Sequence, residues 1–187
     1  MKYLLTILLF FQISCFSQEK DSIVYQKLDT KDYYIEETHD YLSKFIISKK
    51  VYESGYRSGT EDAILKKGNY ILSVKTSYMK FSINEKGNID GKLDVKETRK
   101  RKTLIFNAII KKGLLQSKKL LDTIGNLINE TNRYYYKDSI QEINISNTGI
   151  KISKVKYPSG KSIIKKYDKD GKFLDKTIEM SVQPLPR

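Results

Sequence analysis

The sequence predicts an all-β protein, an antiparallel meander of repeated β-hairpins. One observation is a short phrase that recurs along the chain. It consists of an aromatic or aliphatic residue, two or three polar residues, a glycine and a polar residue that leads into an apolar run. In the C-terminal half, glycines also recur about every eleven to twelve residues, the length of one strand plus one short turn. The runs between them are rich in β-branched and aromatic residues, including 14 tyrosines.

The recurring phrase has the composition of a β-hairpin turn. Polar turn-forming residues and a glycine between two apolar runs are typical of tight hairpin connections. Residues 137–139, Lys-Asp-Ser, predict a further turn of the series without glycine. Because each turn joins consecutive strands, we expect every strand to pair with the one before it. The clearest copies of the phrase occupy residues 52–55, 83–88, 157–161 and 167–172.

Strands are predicted wherever β-branched and aromatic residues cluster or alternate with polar residues. In residues 140–145, Ile143 and Ile145 face one side, whereas Glu142 and Asn144 face the other. The predicted strands cover residues 33–35, 45–52, 63–65, 70–74, 78–83, 89–95, 134–136, 140–145 and 150–152.

Residues 103–121 allow two interpretations. Leu104 and Ala108 belong to a set with helical spacing, whereas Phe106 fits a strand and a glycine interrupts the periodicity. The pattern predicts two strands around residues 111–113, with one short helix as the alternative.

The densest charge run lies at residues 96–102, Lys-Glu-Thr-Arg-Lys-Arg-Lys. Such a run can bind phosphate groups or form a solvated loop. Since no aromatic side chain is interleaved to stack on a nucleobase, a loop is the favoured interpretation.

The chain divides into four segments. Residues 1–17 have the basic start, the short apolar centre and the small terminal residues of a secretory signal peptide, and they resemble export signals of flavobacteria and their relatives. Their apolar run is shorter than the roughly 20 residues that a membrane-spanning helix needs. Residues 18–31 form a polar lead-in, residues 32–181 a β-repeat domain and residues 182–187 a tail that contains prolines.

Two interpretations of the export signal differ in the fate of Cys15, the only cysteine. Cleavage after Ser17 would release a protein without cysteine, and therefore without disulfides. Lipidation of Cys15 would instead attach the protein to a membrane. Ser14 suits a lipidation signal, but Gln12 stands where such signals prefer leucine. We expect export to the periplasm, the cell surface or the extracellular space, with membrane attachment only in the lipidated form.

The charge of the chain bears on its partners. Lys2 is the only charged residue before position 18, so cleavage lowers the formal net charge from +13 to +12. An exported basic protein is expected to meet a protein partner or an anionic polymer of the envelope, and no nucleic acid. Lysines spread over almost every predicted strand also fit an ordinary solvated surface that protects strand edges.

The tyrosine-containing and asparagine-containing phrases at residues 52–55, 84–92, 157–161 and 167–172 resemble the MORN-repeat-variant family. That family includes bacterial proteins labelled as antitoxin components of the YwqK type. The resemblance covers residues 157–173, and also 50–59 and 81–93, while residues 96–148 depart from the pattern. It implies stacked β-hairpins that serve as an interaction scaffold.

No group of residues predicts catalysis, a cofactor or a metal. His39 is the only histidine and stands in an acidic turn without a framing nucleophile. Residues 168–171, Asp-Lys-Asp-Gly, are similar to the start of a calcium loop but lack its later ligands and closing glutamate, so a hairpin turn is the better interpretation.

We therefore expect a non-catalytic binding or scaffold module of the bacterial cell envelope, with no catalytic, cofactor-binding or metal-binding residues. Two alternatives remain open. The family resemblance suggests an immunity or antitoxin-type protein that neutralises a secreted toxin. The positive charge suggests a hydrolase that acts on an acidic polysaccharide, since paired carboxylates are compatible with the sequence.

Overall fold

The structure is a computed structural model that describes residues 23–38, 41–99 and 102–181. The predicted signal peptide at 1–17, with Cys15, lies outside the described residues, as do His39 and the tail at 182–187.

The described residues form fourteen β-strands and no helix. No segment of them is therefore a helix that could cross a membrane. The strands are β1 (Gln26–Leu28), β2 (Tyr33–Glu37), β3 (Phe45–Glu53), β4 (Tyr56–Asp62), β5 (Gly68–Val74), β6 (Ser77–Ile83), β7 (Ile89–Arg99), β8 (Lys102–Lys111), β9 (Leu114–Leu121), β10 (Leu127–Tyr135), β11 (Ile140–Ser146), β12 (Lys151–Lys156), β13 (Lys161–Tyr167) and β14 (Phe173–Met180).

Eleven of these strands form one sheet in the order β1-β5-β6-β7-β8-β9-β10-β11-β12-β13-β14. From β5 to β14 each strand pairs antiparallel with the next, so the predicted all-β meander is confirmed. Two features depart from a simple meander. Strands β2, β3 and β4 form a separate small sheet, and β1, from the expected lead-in, pairs parallel with β5.

Residues 103–121 form strands β8 and β9, so the alternative of a short helix there is wrong. The hairpin turns at Lys112 and Gly113, whose φ values are 53° and 79°. Alternate residues of β8 are buried, with Ala108 and Ile110 only 2% and 1% exposed, while Ile109 between them is 43% exposed. Burial therefore follows the two-residue period of a strand, which overrides the helical spacing in the sequence.

The charge run at residues 96–102 is for the most part strand and not the predicted loop. Strand β7 continues through Thr98, which pairs with Thr103 of β8, and the pairing extends to Arg99 and Lys102. The hydroxyl groups of Thr98 and Thr103 are hydrogen-bonded at 3.2 Å. A two-stranded ribbon is the result, because neighbouring backbone pairing holds even a charged sequence extended.

Five of the described turns share one hydrogen-bond pattern, which confirms that the recurring phrase forms hairpin turns. The first residue donates its amide to the carbonyl of the fifth, and the glycine at position four donates to the carbonyl of the first, at 2.9–3.2 Å. The glycine has positive φ each time, a conformation that glycine adopts without steric cost. These turns are residues 84–88, 122–126, 146–150, 157–161 and 168–172.

The small sheet covers the N-terminal half of the large sheet, and the main hydrophobic core lies between them. Phe81, Ile89 and Leu93 of the large sheet are each 1% exposed, and Ile47 of β3 is 5% exposed. The other members of this core are Tyr70, Leu72, Ile83, Val95, Ala108, Ile110 and Leu115. Beyond β10 the large sheet continues away from this core, and every residue of β14 is exposed.

Candidate functional site

The two faces of the large sheet can be followed from strand to strand, because paired residues in antiparallel strands share a face. Register connects Ala108 of the core to Lys118, Thr131 and Asn144 in turn. We call this the core face and its opposite the open face. On strands β11 to β14 the open face carries Gln141, Ile143, Ile145, Lys151, Ser153, Val155, Lys161, Ile163, Lys165, Tyr167, Lys176, Ile178 and Met180.

An apolar row crosses the open face at right angles to the strands. Val155 pairs with Ile163, which pairs with Ile178 of the edge strand. The row continues through Gln141 to Tyr134 of β10. Ile178 is 54% exposed and Tyr134 is 47% exposed, so the row presents apolar surface to solvent. We call these five residues the apolar row.

Lysines stand on both sides of the apolar row. On β13, Lys161 and Lys165 lie two residues before and after Ile163, which places each of them about 6.6 Å along the strand from the row. Lys176 pairs with Lys165 on the neighbouring strand. All three lysines are exposed, so the row is a partly apolar surface with positive charge at its margins.

Acidic and basic side chains separate between the two faces of β11 to β14. The three acidic residues of these four strands, Glu142, Asp175 and Glu179, all project from the core face. Glu179 forms an ion pair there with Lys154 at 2.9 Å. The open face of the same strands therefore carries Lys151 and the three flanking lysines without any carboxylate from these strands to neutralise them.

The open face is held by contacts within the sheet. Gln141 donates its side-chain amide to the Ser153 hydroxyl at 3.0 Å, and Ser153 is only 7% exposed. The ammonium of Lys151 lies 5.7 Å from the centre of the Tyr167 ring, a cation–π distance. The first contact fixes Gln141 within the apolar row and the second fixes Lys151 on the same face, while Val155, Ile163 and Ile178 take part in neither.

The core face carries a different cluster where the small sheet meets β10 and β11. The guanidinium of Arg133 donates to Glu142 at 2.7 Å and to Glu37 of β2 at 2.8 Å. Asn144 donates to the Glu142 carboxylate and accepts from the Thr131 hydroxyl. Arg133 therefore links the two sheets, and we call these five residues the junction cluster.

The pKa values in the junction cluster follow from this pairing. Burial alone would lower the pKa of the Arg133 guanidinium, but the hydrogen bonds to Glu37 and Glu142 raise that pKa well above its usual range. Burial would raise the pKa of Glu142, but hydrogen bonds from Asn144 and Arg133 outweigh it and hold that pKa below its usual value. Both ends of the Arg133–Glu142 pair therefore stay charged at neutral pH.

Two tyrosines complete the core face in this region. Tyr135 donates its hydroxyl to the carbonyl of Leu115 at 2.9 Å, and Tyr41 donates to the carbonyl of Lys156 at 3.1 Å. Burial raises the pKa of both hydroxyls, and the charge of Asp138 adds to the rise at Tyr41. Since both hydroxyls are neutral donors to backbone carbonyls, their role is to hold the chain in place.

Asp168 and Asp170, whose sequence is similar to the start of a calcium loop, belong to a turn. The Asp168 carboxylate accepts hydrogen bonds from the amides of Asp170 and Lys172, at 3.0 and 2.8 Å. The side-chain oxygens of Asp122 and Asn84 accept hydrogen bonds from backbone amides of their own turns in the same way. In the part of the chain that the structure describes, no three histidine, cysteine or acidic side chains come together as a metal site.

Comparisons with protein-family models, with curated proteins and with solved structures find no match for this chain. The surface chemistry of the described strands is therefore the observation from which function can be argued.

The sequence alone does not identify the open face. Strand β13 carries part of the signal, because Lys161, Ile163 and Lys165 alternate with other residues. A single strand does not reveal which residues of its neighbours stand beside it. Only the register aligns Ile163 with Val155 and Ile178 and places the acidic residues on the other side.

Proposed function

We propose that this protein is an exported, non-catalytic binding or scaffold module of the bacterial cell envelope. The observation that carries the proposal is the open face of β11 to β14, an apolar row flanked by lysines, on which these four strands place no carboxylate. The signal-like residues 1–17 support the envelope as the location, and the recurring hairpin phrase, with its likeness to MORN-type scaffolds, supports a binding role.

The physical basis is the favourable free energy of covering this face. Binding is stabilised by roughly 25 cal/mol for each Å² of exposed apolar surface that a partner removes from water. Apolar residues at the centre of a patch with charged residues at its rim are the usual anatomy of a protein interface. The lysines add attraction for a negatively charged partner and speed its approach. An anionic component of the envelope therefore matches this face.

The test is photo-cross-linking from two neighbouring positions on the edge strand. A photo-reactive amino acid replaces Ile178, on the open face, or Thr177, the next residue, on the core face; both are exposed. We expect Ile178 to cross-link a specific envelope component in living cells and Thr177 not to. A lack of cross-linking from Ile178, or equal cross-linking from both positions, would contradict the proposal.

A further inference from the structure

We infer that the open face binds an amphipathic helix of an acidic protein, with the helix lying along the apolar row. This inference rests on the proposed function and names the partner of the same face. It is drawn from the spacing of the lysines, the length of the row and the separation of charge between the two faces.

The distance between Lys161 and Lys165 along β13 matches the diameter of an α-helix. Lys161 and Lys165 are four residues apart on β13, which corresponds to about 13 Å along the strand. An α-helix with its side chains is about 10 to 12 Å across. A helix that lies on Ile163 and its row neighbours therefore fits between the lysines, with its flanks next to their ammonium groups.

The length of the row sets the length of the helix. The row crosses five strands, from Tyr134 on β10 to Ile178 on β14. Neighbouring strands are about 4.8 Å apart, so the row is about 19 Å long. At 1.5 Å per residue this length accommodates about 13 helical residues.

The apolar row and its flanking lysines determine which side chains the helix would need. Its apolar stripe would cover Val155, Ile163 and Ile178, and carboxylates on both sides of the stripe would reach the lysines. Such a helix has apolar residues three and four positions apart, with glutamate or aspartate next to them. Strands β11 to β14 contribute no carboxylate to this face. The one acidic residue that β10 places there, Glu130, is four residues from Tyr134 and pairs with Lys119, so the acidic flanks meet no carboxylate next to the lysines of β13 and β14.

Three other occupants fit this face less well. A flat membrane surface would meet the long lysine side chains first and leave the shorter Val155 and Ile163 uncovered. A second copy of the chain, placed across a two-fold axis, would bring lysines against lysines. A polysaccharide would need aromatic platforms along its length, but the exposed ring of Tyr134 lies at one end of the row, the centre is aliphatic and the Tyr167 ring already has Lys151 beside it.

The experiment measures binding of a defined peptide to the purified protein by fluorescence anisotropy. The probe is a helical peptide of about 13 residues with a leucine stripe flanked by glutamates, the length that the row accommodates. The first control peptide has the same composition with the stripe scrambled, and the second is polyglutamate. Vesicles of phosphatidylglycerol and phosphatidylethanolamine test the membrane alternative, and sedimentation of the protein alone tests self-association.

Matched variants locate the binding. Replacing Ile178 with Asp is expected to weaken peptide binding at least about tenfold, whereas Thr177→Asp on the opposite face leaves it unchanged. Lys165→Gln is expected to weaken binding about three- to fivefold, and Lys166→Gln, its neighbour on the core face, has no such effect. Circular dichroism of each variant verifies that the sheet is intact, and all four substitutions are at exposed positions.

The inference is overturned if the striped peptide does not bind, if it binds no better than the scrambled peptide or polyglutamate, or if the vesicles bind more tightly. It is also overturned if the face is covered by self-association that Ile178→Asp abolishes. These results are separable from the proposed function. If the cross-linking from Ile178 succeeds while the peptide fails, the face binds another anionic partner and only the helix is wrong.

Discussion

Replacing Gly160 with alanine tests whether a turn glycine is needed only for its positive φ or also for its close approach to the backbone of Ser181. Gly160 and Gly171 occupy the same position in two copies of the turn, with φ values of 82° and 83°. They differ in their surroundings. An added Cβ at Gly171 meets nothing within 4 Å, whereas at Gly160 it collides with the backbone carbonyl oxygen of Ser181.

The difference in surroundings separates two energetic effects. Alanine in either turn must adopt positive φ, which costs about 1 to 2 kcal/mol. Gly171→Ala should therefore lower the free energy of unfolding by that amount alone. Gly160→Ala adds a steric conflict with backbone that cannot rotate away, typically about 1 to 3 kcal/mol. The carbonyl of Gly160 also accepts a hydrogen bond from the Ser181 amide at 2.9 Å, which relief of the conflict would stretch.

Urea denaturation followed by tyrosine fluorescence and far-ultraviolet circular dichroism would measure both variants. We expect Gly160→Ala to lose about 2 to 5 kcal/mol in total, and Gly171→Ala about 1 to 2 kcal/mol. Hydrogen exchange should show faster opening near Ser181 in Gly160→Ala only. Equal losses for the two variants would refute the reasoning, because the two sites share their φ and differ only in the nearby backbone.

Three further predictions concern the core and the junction cluster. Phe81→Ala, at a side chain that is 1% exposed, should lower the free energy of unfolding by about 3 to 5 kcal/mol, and a loss below about 1 kcal/mol in urea denaturation would contradict its burial. Arg133→Met should lower it by about 2 to 4 kcal/mol, because the partly buried Glu142 loses its ion pair and keeps only the Asn144 hydrogen bond and the charge of Lys156, while Glu37 is 39% exposed and partly solvated. Adding Glu142→Gln to that variant should recover part of the loss, which a double-mutant cycle measures. Folding lowers the pKa of Glu142, so the ionised carboxylate stabilises the folded protein fully above the usual glutamate pKa of about 4.3. This stabilisation is lost as pH falls through the folded-state pKa. The urea midpoint should therefore fall less steeply with acid in Glu142→Gln than in the wild type.

The parts of the fold that the sequence predicts are local ones. A turn such as residues 157–161 depends on a glycine with positive φ and on polar residues that bind their own backbone, and both are visible in the sequence. The polar residues Lys-Asp-Ser at 137–139 also predict a turn, and the structure joins β10 to β11 there, with the Tyr136 amide donating a hydrogen bond to the carbonyl of Ser139. Consecutive strands joined by short turns then pair with each other with little further information.

The parts that the sequence does not predict depend on distant contacts. Nothing in the sequence near Tyr33–Glu37 indicates that β2 belongs to a separate sheet. The contact that links β2 to the large sheet is the ion pair of Glu37 with Arg133, which is distant in sequence. The parallel pairing of β1 with β5 joins residues more than forty positions apart. Residues 103–121 have both periods in their sequence, and the buried partners on β7 and β9 decide between them.

The regular turns also explain how a simple sequence makes a chemically divided surface. Within β14, Asp175 and Glu179 alternate with Lys176 and Ile178, so register alone decides which set stands beside Ile163. A slip of one residue between β13 and β14 would exchange the two sets and bring both carboxylates to the open face. There they would neutralise the lysines and interrupt the apolar row. The glycine turns that keep the register therefore also maintain the charge separation on which the proposed binding depends.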